Sequence, residues 1–271
     1  MFCQADGRAV SLSGRQDHPM YYSEMRPRAL VARRLACPVA YLPIGILEWH
    51  GYHNPLGLDG IKAERLLARC AEKFGGLMLP PLYWGDNRAE SVEVICDSAV
   101  SGFPPPDFGD HVTPICAAMG LARSRLEVEA ARSTSNGGWR LWEELVVHTL
   151  FQAESLGFEL IVPYVGHYPM HGPMHRAAET FRTQGGRAEV LVLTDHLVAH
   201  GDHAAAFETS LLLALAPELV DLTELSAGDS IHLGVVGEAP LRHASAEVGW
   251  AAVAKFEAIV AARIAALRRS T

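Results

Sequence analysis

The stretch Glu48-Trp49-His50-Gly51-Tyr52-His53-Asn54-Pro55-Leu56-Gly57-Leu58-Asp59 places carboxylates and imidazoles directly behind a short apolar run. Glu48 and His50 are two residues apart, so at the end of a strand both side chains face the same side. Mixed oxygen and nitrogen donors of this kind suit zinc, manganese or ferrous iron. A carboxylate such as Asp59 is able to bridge two ions, which in two-metal hydrolytic sites stand about 3.5–4 Å apart. The competing reading is a polar turn, with Asp59, one residue ahead of the next helical run, as its N-cap. Spacing alone leaves both open. Further along, His171 and His175 are at i,i+4, a spacing that sets two imidazoles on one helical face. Either they line a pocket or one of them is a capping or solvated group. His196 and His200 read as surface or supporting residues. Trp84, Trp139 and Trp142 form either an aromatic wall or core packing. Of Arg88, Arg123, Arg125 and Arg140, one is a candidate to hold an anionic group of a substrate; the rest read as solvated.

An alternation of strands and helices must position these residues. Residues 39–47 read as a buried strand. A helix follows over 60–73, with Ala63, Leu66, Leu67 and Cys70 at helical spacing, and Gly75 and Gly76 end it. Residues 77–83 resemble a second strand with Pro80 and Pro81 inside it. Segment 85–138 is irregular, with some helix over about 111–132. Then come a helix over 139–156, a strand at 159–165, a helix at 173–184 with Pro173 suited to its first turn, and a strand at 187–194. A helix over 203–215 stops before Pro217, and an amphipathic, alanine-rich helix covers 246–268. This order predicts an α/β fold, a three-layer α/β/α sandwich with a mostly parallel central sheet. Residues 36–271 read as a single domain with an irregular insertion at 85–138, and residues 1–35 as a loosely attached, arginine-rich arm. Ligands in such folds collect at the carboxyl ends of strands. The polar clusters at 48–59, 166–175 and 195–208 each follow a predicted strand and are expected to converge on one rim.

Composition narrows the function classes. The chain has 271 residues, and 49% of them are hydrophobic, which excludes a disordered or collagenous polymer. With 23 basic and 31 acidic residues the net charge is −8, which argues against nucleic acid or an anionic membrane as partner. No apolar run reaches the roughly 18 residues of a membrane span, and residues 1–34 do not read as a secretory signal. The cysteines Cys3, Cys37, Cys70, Cys96 and Cys116 are far apart and odd in number, which fits reduced thiols in a cytoplasm.

The motifs resemble the creatininase (creatinine amidohydrolase) family. Its signature Glu-x-His-Gly-x-His-x-Pro-x-x-x-Asp is matched in order and spacing by Glu48, His50, Gly51, His53, Pro55 and Asp59. Its segment His-Ala-Gly-x-x-Glu-Thr-Ser is similar to the run from His203 through Glu208, Thr209 and Ser210, and Pro217, Leu219 and Val220 match the Pro-x-Leu-Val in which that segment ends. Gly166 and His167 match a third element, usually Asn/Asp-Gly-His-x-x-Asn, whose flanking positions here are Val165 and Met170. The resemblance covers roughly residues 38–265 and is weakest over 85–138. It implies a creatininase-like fold in which Glu48, Asp59 and His167 bind one divalent ion (zinc, manganese or iron) and His50, Asp59 and Glu208 a second. It implies that His203 is the general acid for the departing nitrogen, and that His53 has a supporting or substrate-contact role, with His171 and His175 as further candidates for such contacts. Two ions sharing a water lower its pKa and polarise a carbonyl, the chemistry of an amidohydrolase on a cyclic amide or formamide. Creatininase has a carboxylate two residues after the third-motif histidine; Pro169 stands there, so creatinine is not the expected substrate. Relatives that act as deformylases or peptidases in cofactor pathways, and an inactive ligand-binding member, are the alternatives. The expected partners are a small molecule and, by resemblance, further copies of the chain in a homo-oligomer, a hexamer in creatininases.

Overall fold

The computed structural model describes residues 20–83, 109–225 and 233–270. Its centre is a parallel sheet of β1 Val39–Ile44, β2 Leu77–Met78, β3 Leu160–Val165 and β4 Glu189–Val190, in the order β2-β1-β3-β4. The helices among the described residues are α1 Pro27–Ala36, α2 Leu58–Phe74, α3 Val112–Ala118, α4 Arg123–Ser135, α5 Trp139–Ser155, α6 His171–Thr183, α7 Ala206–Leu215, α8 Pro240–His243 and α9 Ala246–Ser270. No described helix is long and apolar enough to cross a membrane.

β1 and β3 run side by side from Val39 opposite Leu160 to Ile44 opposite Val165, and every residue of both is buried. That is why each reads as an apolar run without alternation. Successive side chains still part by face. Val39, Tyr41, Leu160, Val162 and Tyr164 enter one core, with Leu66, Leu67 and Cys70 of α2, Leu211 of α7 and Val253, Phe256 and Val260 of α9. Ala40, Leu42, Ile44, Ile161 and Val165 enter the other, with Trp142, Val146 and Leu150 of α5 and Met174, Ala177 and Phe181 of α6. The sheet therefore has helices on both faces, the three-layer α/β/α arrangement. Each fully buried Val, Leu or Phe side chain adds about 1.5–3 kcal/mol to it.

Several boundaries differ from the sequence reading, each for a local reason. The second strand is expected over 77–83, but its regular pairing stops at Met78 and resumes only where Leu82 meets Ile44. Pro80 and Pro81 carry no N–H for the ladder. The strand expected over 187–194 pairs regularly only at Glu189–Val190, with Leu193 meeting Tyr164 beyond it, because the facing strand holds Pro163. The helix expected over about 111–132 is two helices parted at Gly120, which has φ 64°. α2 begins two residues earlier than expected and takes Asp59 into its first turn; Gly57 holds the N-cap position with no side-chain bond, so Asp59 is not the cap. α7 begins at Ala206 instead of 203.

Part of the arginine-rich segment before residue 36 is helical and tied down. In α1, Arg33 donates to the carbonyls of Gly76 and Ala71, and Arg34 to that of Leu156 at 2.5 Å. Residues 1–19 of the expected arm, and 84–108 of the expected insertion with Trp84 and Arg88, lie outside the described residues, as do Cys3 and Cys96. Trp142 is buried in the second core with Trp139 edge-on at 6.0 Å, so these two rings pack in the core. Arg123 pairs with Asp110 and Glu127, and Arg140 with Glu144, on the surface. Cys37, Cys70 and Cys116 are buried free thiols.

Candidate metal centre

The polar clusters meet at the carboxyl ends of β1 and β3. The chain leaves β1 through Gly45 to reach Glu48 and His50, and leaves β3 through Gly166 to reach His167. Both glycines permit a close approach to the start of α2. A Cβ on Gly45 would stand 2.2 Å from the Gly60 nitrogen, and one on Gly166 2.2 Å from the Asp59 carbonyl oxygen. Asp59 is thereby held between the two strand exits. Glu208 arrives from the other side, in the first turn of α7.

These five side chains are buried together. His50 Nε2 lies 3.3 Å from Asp59 Oδ1, 3.5 Å from Glu48 Oε1 and 3.9 Å from Glu208 Oε2. His167 Nδ1 lies 3.0 Å from Glu48 Oε1 and 3.2 Å from Asp59 Oδ2. Three overlapping sets each bring their donor atoms within 4.8 Å of one another: Glu48, Asp59 and His167; His50, Asp59 and Glu208; and Glu48, His50 and His203. The His50 ring is oriented by the backbone two residues before it. Its Nδ1 donates to the Glu48 carbonyl at 3.2 Å, and Nε2 is turned to the carboxylates. Burial works against charge on His50 and His167, but the neighbouring carboxylates outweigh it and raise them to about 9 and about 10. A field that draws a proton onto these rings equally favours a metal cation. Burial opposes charge on Asp59 too, yet His50, His167 and Lys62 hold its carboxyl well below the usual range.

His203 stands beside this cage. Its Nε2 donates to the Trp49 carbonyl at 2.9 Å, and Nδ1 faces Glu48 Oε1 at 3.6 Å. Burial, only partly offset by Glu48, lowers its pKa, so the ring is neutral at pH 7. A cavity of about 130 Å³ opens over the cage, lined by His167, Tyr168, Pro169, His196, His200 and His203 among others.

The other sequence candidates have different places. His53 is buried with Nε2 3.1 Å from Thr209 Oγ1 and 3.0 Å from Asn54 Nδ2, so it braces the first turn of α7. His171 is half-buried, with Nε2 donating to the Val165 carbonyl and its ring against Tyr168 and His196; burial, then His196, lower its pKa to about 3. His175, one turn on, is exposed, so the two do not share a face of the site.

Three residues of the cage carried no role in the sequence reading. Lys62 is wholly buried, with Nζ 2.5 Å from Glu208 Oε1, 2.8 Å from Asp195 Oδ2 and 3.7 Å from Asp59 Oδ1. Asp195 also accepts from the Tyr164 hydroxyl at 2.5 Å. Asp202 caps α7, accepting from the backbone N–H of Phe207 and Glu208. The only signal in the sequence was a lysine on the same helix as Asp59, and two acids in the cluster after a strand.

With the geometry in place, comparison with known proteins gives it a family. The creatininase profile, described as creatinine amidohydrolase, matches residues 23–94 and 131–258. The chain belongs to the creatininase family. A creatinine amidohydrolase of Pseudomonas putida is 26% identical over 186 residues, 68% of this chain and 66% of that protein, so the match spans just under two thirds of the relative's length. A crystal structure of creatinine amidohydrolase (creatininase) superposes with a TM-score of 0.62 at 22% identity, covering 90% of this chain and 96% of that one. One described as creatininase Mn gives 0.61 at 22% identity, with 93% and 98% covered. A mutant creatininase of Zn-Zn type gives 0.59 at 21%, with the same coverage of 93% and 98%. At these identities the superpositions establish the creatininase fold.

Proposed function

We propose that this chain is a metal-dependent hydrolase of carbon–nitrogen bonds other than peptide bonds, acting on a cyclic amide or formamide in a small polar substrate that is not creatinine. In this reading Glu48, Asp59 and His167 hold one divalent ion, and His50, Asp59 and Glu208 hold a second, drawn from zinc, manganese and iron. The observation that carries it is the donor cage itself. Glu48 Oε2 and His167 Nε2 are buried and make no hydrogen bond among the described residues, and His50 Nε2 and Asp59 Oδ2 face only other members of the cage, at 3.2–3.9 Å. Buried polar atoms seldom stay unpartnered unless something completes them, and this mixture of nitrogen and oxygen suits those ions. The manganese and zinc forms of the structural relatives agree with that choice.

Such ions, when bound, supply Lewis acidity, lowering the pKa of water and polarising a carbonyl oxygen. The rest falls to the chain. Asp59, shared by both sets, fixes their relation to each other. His203, neutral and held at Nε2 by the Trp49 carbonyl, receives a proton at Nδ1 from the attacking water and passes it to the departing nitrogen. The sequence reading gave it only the second half of that exchange. The cavity of about 130 Å³ is of the same order as the roughly 150 Å³ cavity that takes one benzene ring, which favours a substrate no larger than a small ring. Tyr168 and Pro169 form part of its wall, and Pro169 stands where creatininase has a carboxylate, which favours a substrate other than creatinine.

The test is metal content and turnover measured together. Glu48→Gln and Asp59→Asn are expected to lose both. His203→Gln is expected to keep its metal while hydrolysis of the best substrate among lactams, formamides and short peptides falls about 10²–10⁴-fold. Full metal content with undiminished hydrolysis in the two carboxylate variants overturns the reading.

A further inference from the structure

The two donor sets differ in one respect that the family signature does not contain. Lys62 touches Glu208, which belongs to the His50 set and not to the Glu48 set, and Asp59, which both share, but neither Glu48 nor His167. Glu208 is engaged at both oxygens, Oε1 by Lys62 and Oε2 by the Ala204 N–H at 2.7 Å. Glu48 Oε2 and His167 Nε2 in the one set, and His50 Nε2 in the other, make no hydrogen bond among the described residues, so it is at Glu208 that the two sets differ. Lys62 has 0% exposure and its ammonium is held by Asp195 and Glu208 inside the protein. A buried charge is screened far less than a surface one, and its repulsion of a divalent ion is doubled by the ion's charge.

We propose that Lys62 is a fixed internal cation that makes the two ion sites unequal, so that the Glu48–Asp59–His167 set fills first and the ion at His50–Asp59–Glu208 is held more weakly by an amount Lys62 sets. The inference rests on the two-ion reading above. In the ion-free cage Lys62 neutralises part of the charge of Asp195 and Glu208 and keeps Glu208 in place; once an ion arrives there, the same ammonium opposes it. Asp195 offsets Lys62, so the two residues act on the second ion with opposite signs.

The test uses the full chain stripped with a chelator and titrated with Mn²⁺ alone, followed by calorimetry and by electron paramagnetic resonance, which counts bound ions without any turnover. Two dissociation constants differing by about tenfold or more are expected. Lys62→Met, neutral and of similar length, should tighten the weaker constant about tenfold or more and leave the stronger within about threefold. Asp195→Asn should weaken the same constant and again spare the other. A merely structural role would weaken both ions in both variants. If Lys62→Met does not fold, Asp195→Asn decides alone. A wild type that binds one ion while Lys62→Met binds two supports the proposal at its limit. Equal constants in the wild type, one ion in every variant, or a weaker constant that Lys62→Met leaves unchanged or worsens overturns it. Failure to take up any ion sinks the metal reading as well, whereas two equal ions sink this inference alone.

Discussion

Ala204 is a non-glycine residue in the left-handed region, with φ 54°, and what that conformation accomplishes is visible in its neighbours. It aims the Ala204 N–H at Glu208 Oε2, while His203 on its other side exchanges backbone hydrogen bonds of 2.9 Å with Val236. Glu208 is thus gripped from two directions, by a strained peptide and by Lys62. Strain of this kind costs about 1–3 kcal/mol and persists only where the surroundings enforce it. Ala204→Gly removes the strain but frees the unfolded chain, so its net effect on stability is expected within about 1 kcal/mol of zero. Ala204→Val, β-branched at the same φ, should lose about 1–3 kcal/mol and weaken ion binding at the set that includes Glu208. Denaturant titration with Mn²⁺ stoichiometry checks both, and a valine variant as stable and as metal-rich as the parent would contradict the account. At this scale the sequence was legible where the chemistry is local. Glu48, His50 and Asp59 stand within one short segment, and their types suit a donor set, although spacing alone left a capped polar turn open as well. Lys62 was not legible, because a lone lysine on a helix normally reads as solvated, and here its burial is decided by Asp195 and Glu208, 133 and 146 residues away.

At the scale of elements, the site exists because the start of α2 is pressed against the ends of β1 and β3. Gly45 and Gly166 make the same demand, a backbone atom 2.2 Å from any added Cβ, and at Gly166 that Cβ would also stand 2.7 Å from the Asp59 carbonyl carbon and 2.9 Å from its Cα. That neighbour is backbone and has no rotamer with which to yield. Gly166→Ala is therefore expected to part strand from helix, cost about 1–3 kcal/mol and displace Asp59 from both donor sets. Gly172→Ala is the matched control. It lies in the first turn of α6, its nearest atom is the flexible end of Arg176 at 3.3 Å, and it should gain about 0.5–1 kcal/mol. Thermal melting and metal content of the pair check this; a Gly166→Ala protein that behaves like Gly172→Ala would refute the close-approach argument. Element types and order were legible in the sequence because β1 and β3 are unbroken apolar runs and α2 and α5 carry clear helical spacing. The edges were not. Whether Pro80, Pro81 or Pro163 ends a strand depends on which neighbour needs the missing N–H, and α7 starts late because Asp202 satisfies its first amides from outside the helix.

For the whole molecule, the rule that ligands gather where parallel strands end foresaw the meeting of three distant clusters, but it gave no hint of the charge they would have to share. Glu48, Asp59, Asp195 and Glu208 are all buried in one region, and Lys62 is the lysine buried among them. Folding without metal must therefore bring carboxylates together in a medium that screens them poorly, which is unfavourable unless cations or protons accompany them. An ion that binds only the folded chain shifts the unfolding equilibrium by mass action, about 2.7 kcal/mol at a free concentration of 100 Kd. For a domain of this size each kcal/mol moves the melting temperature by roughly 2–4 °C. Zinc or manganese added to chelator-stripped protein should accordingly raise it by roughly 5–10 °C at that concentration. Magnesium, which prefers an all-oxygen octahedron, should do much less at the same concentration. Asp59→Asn, which removes the donor shared by both sets, should lose most of the zinc and manganese shift, and a shift that survives intact in that variant would place the ions elsewhere in the molecule.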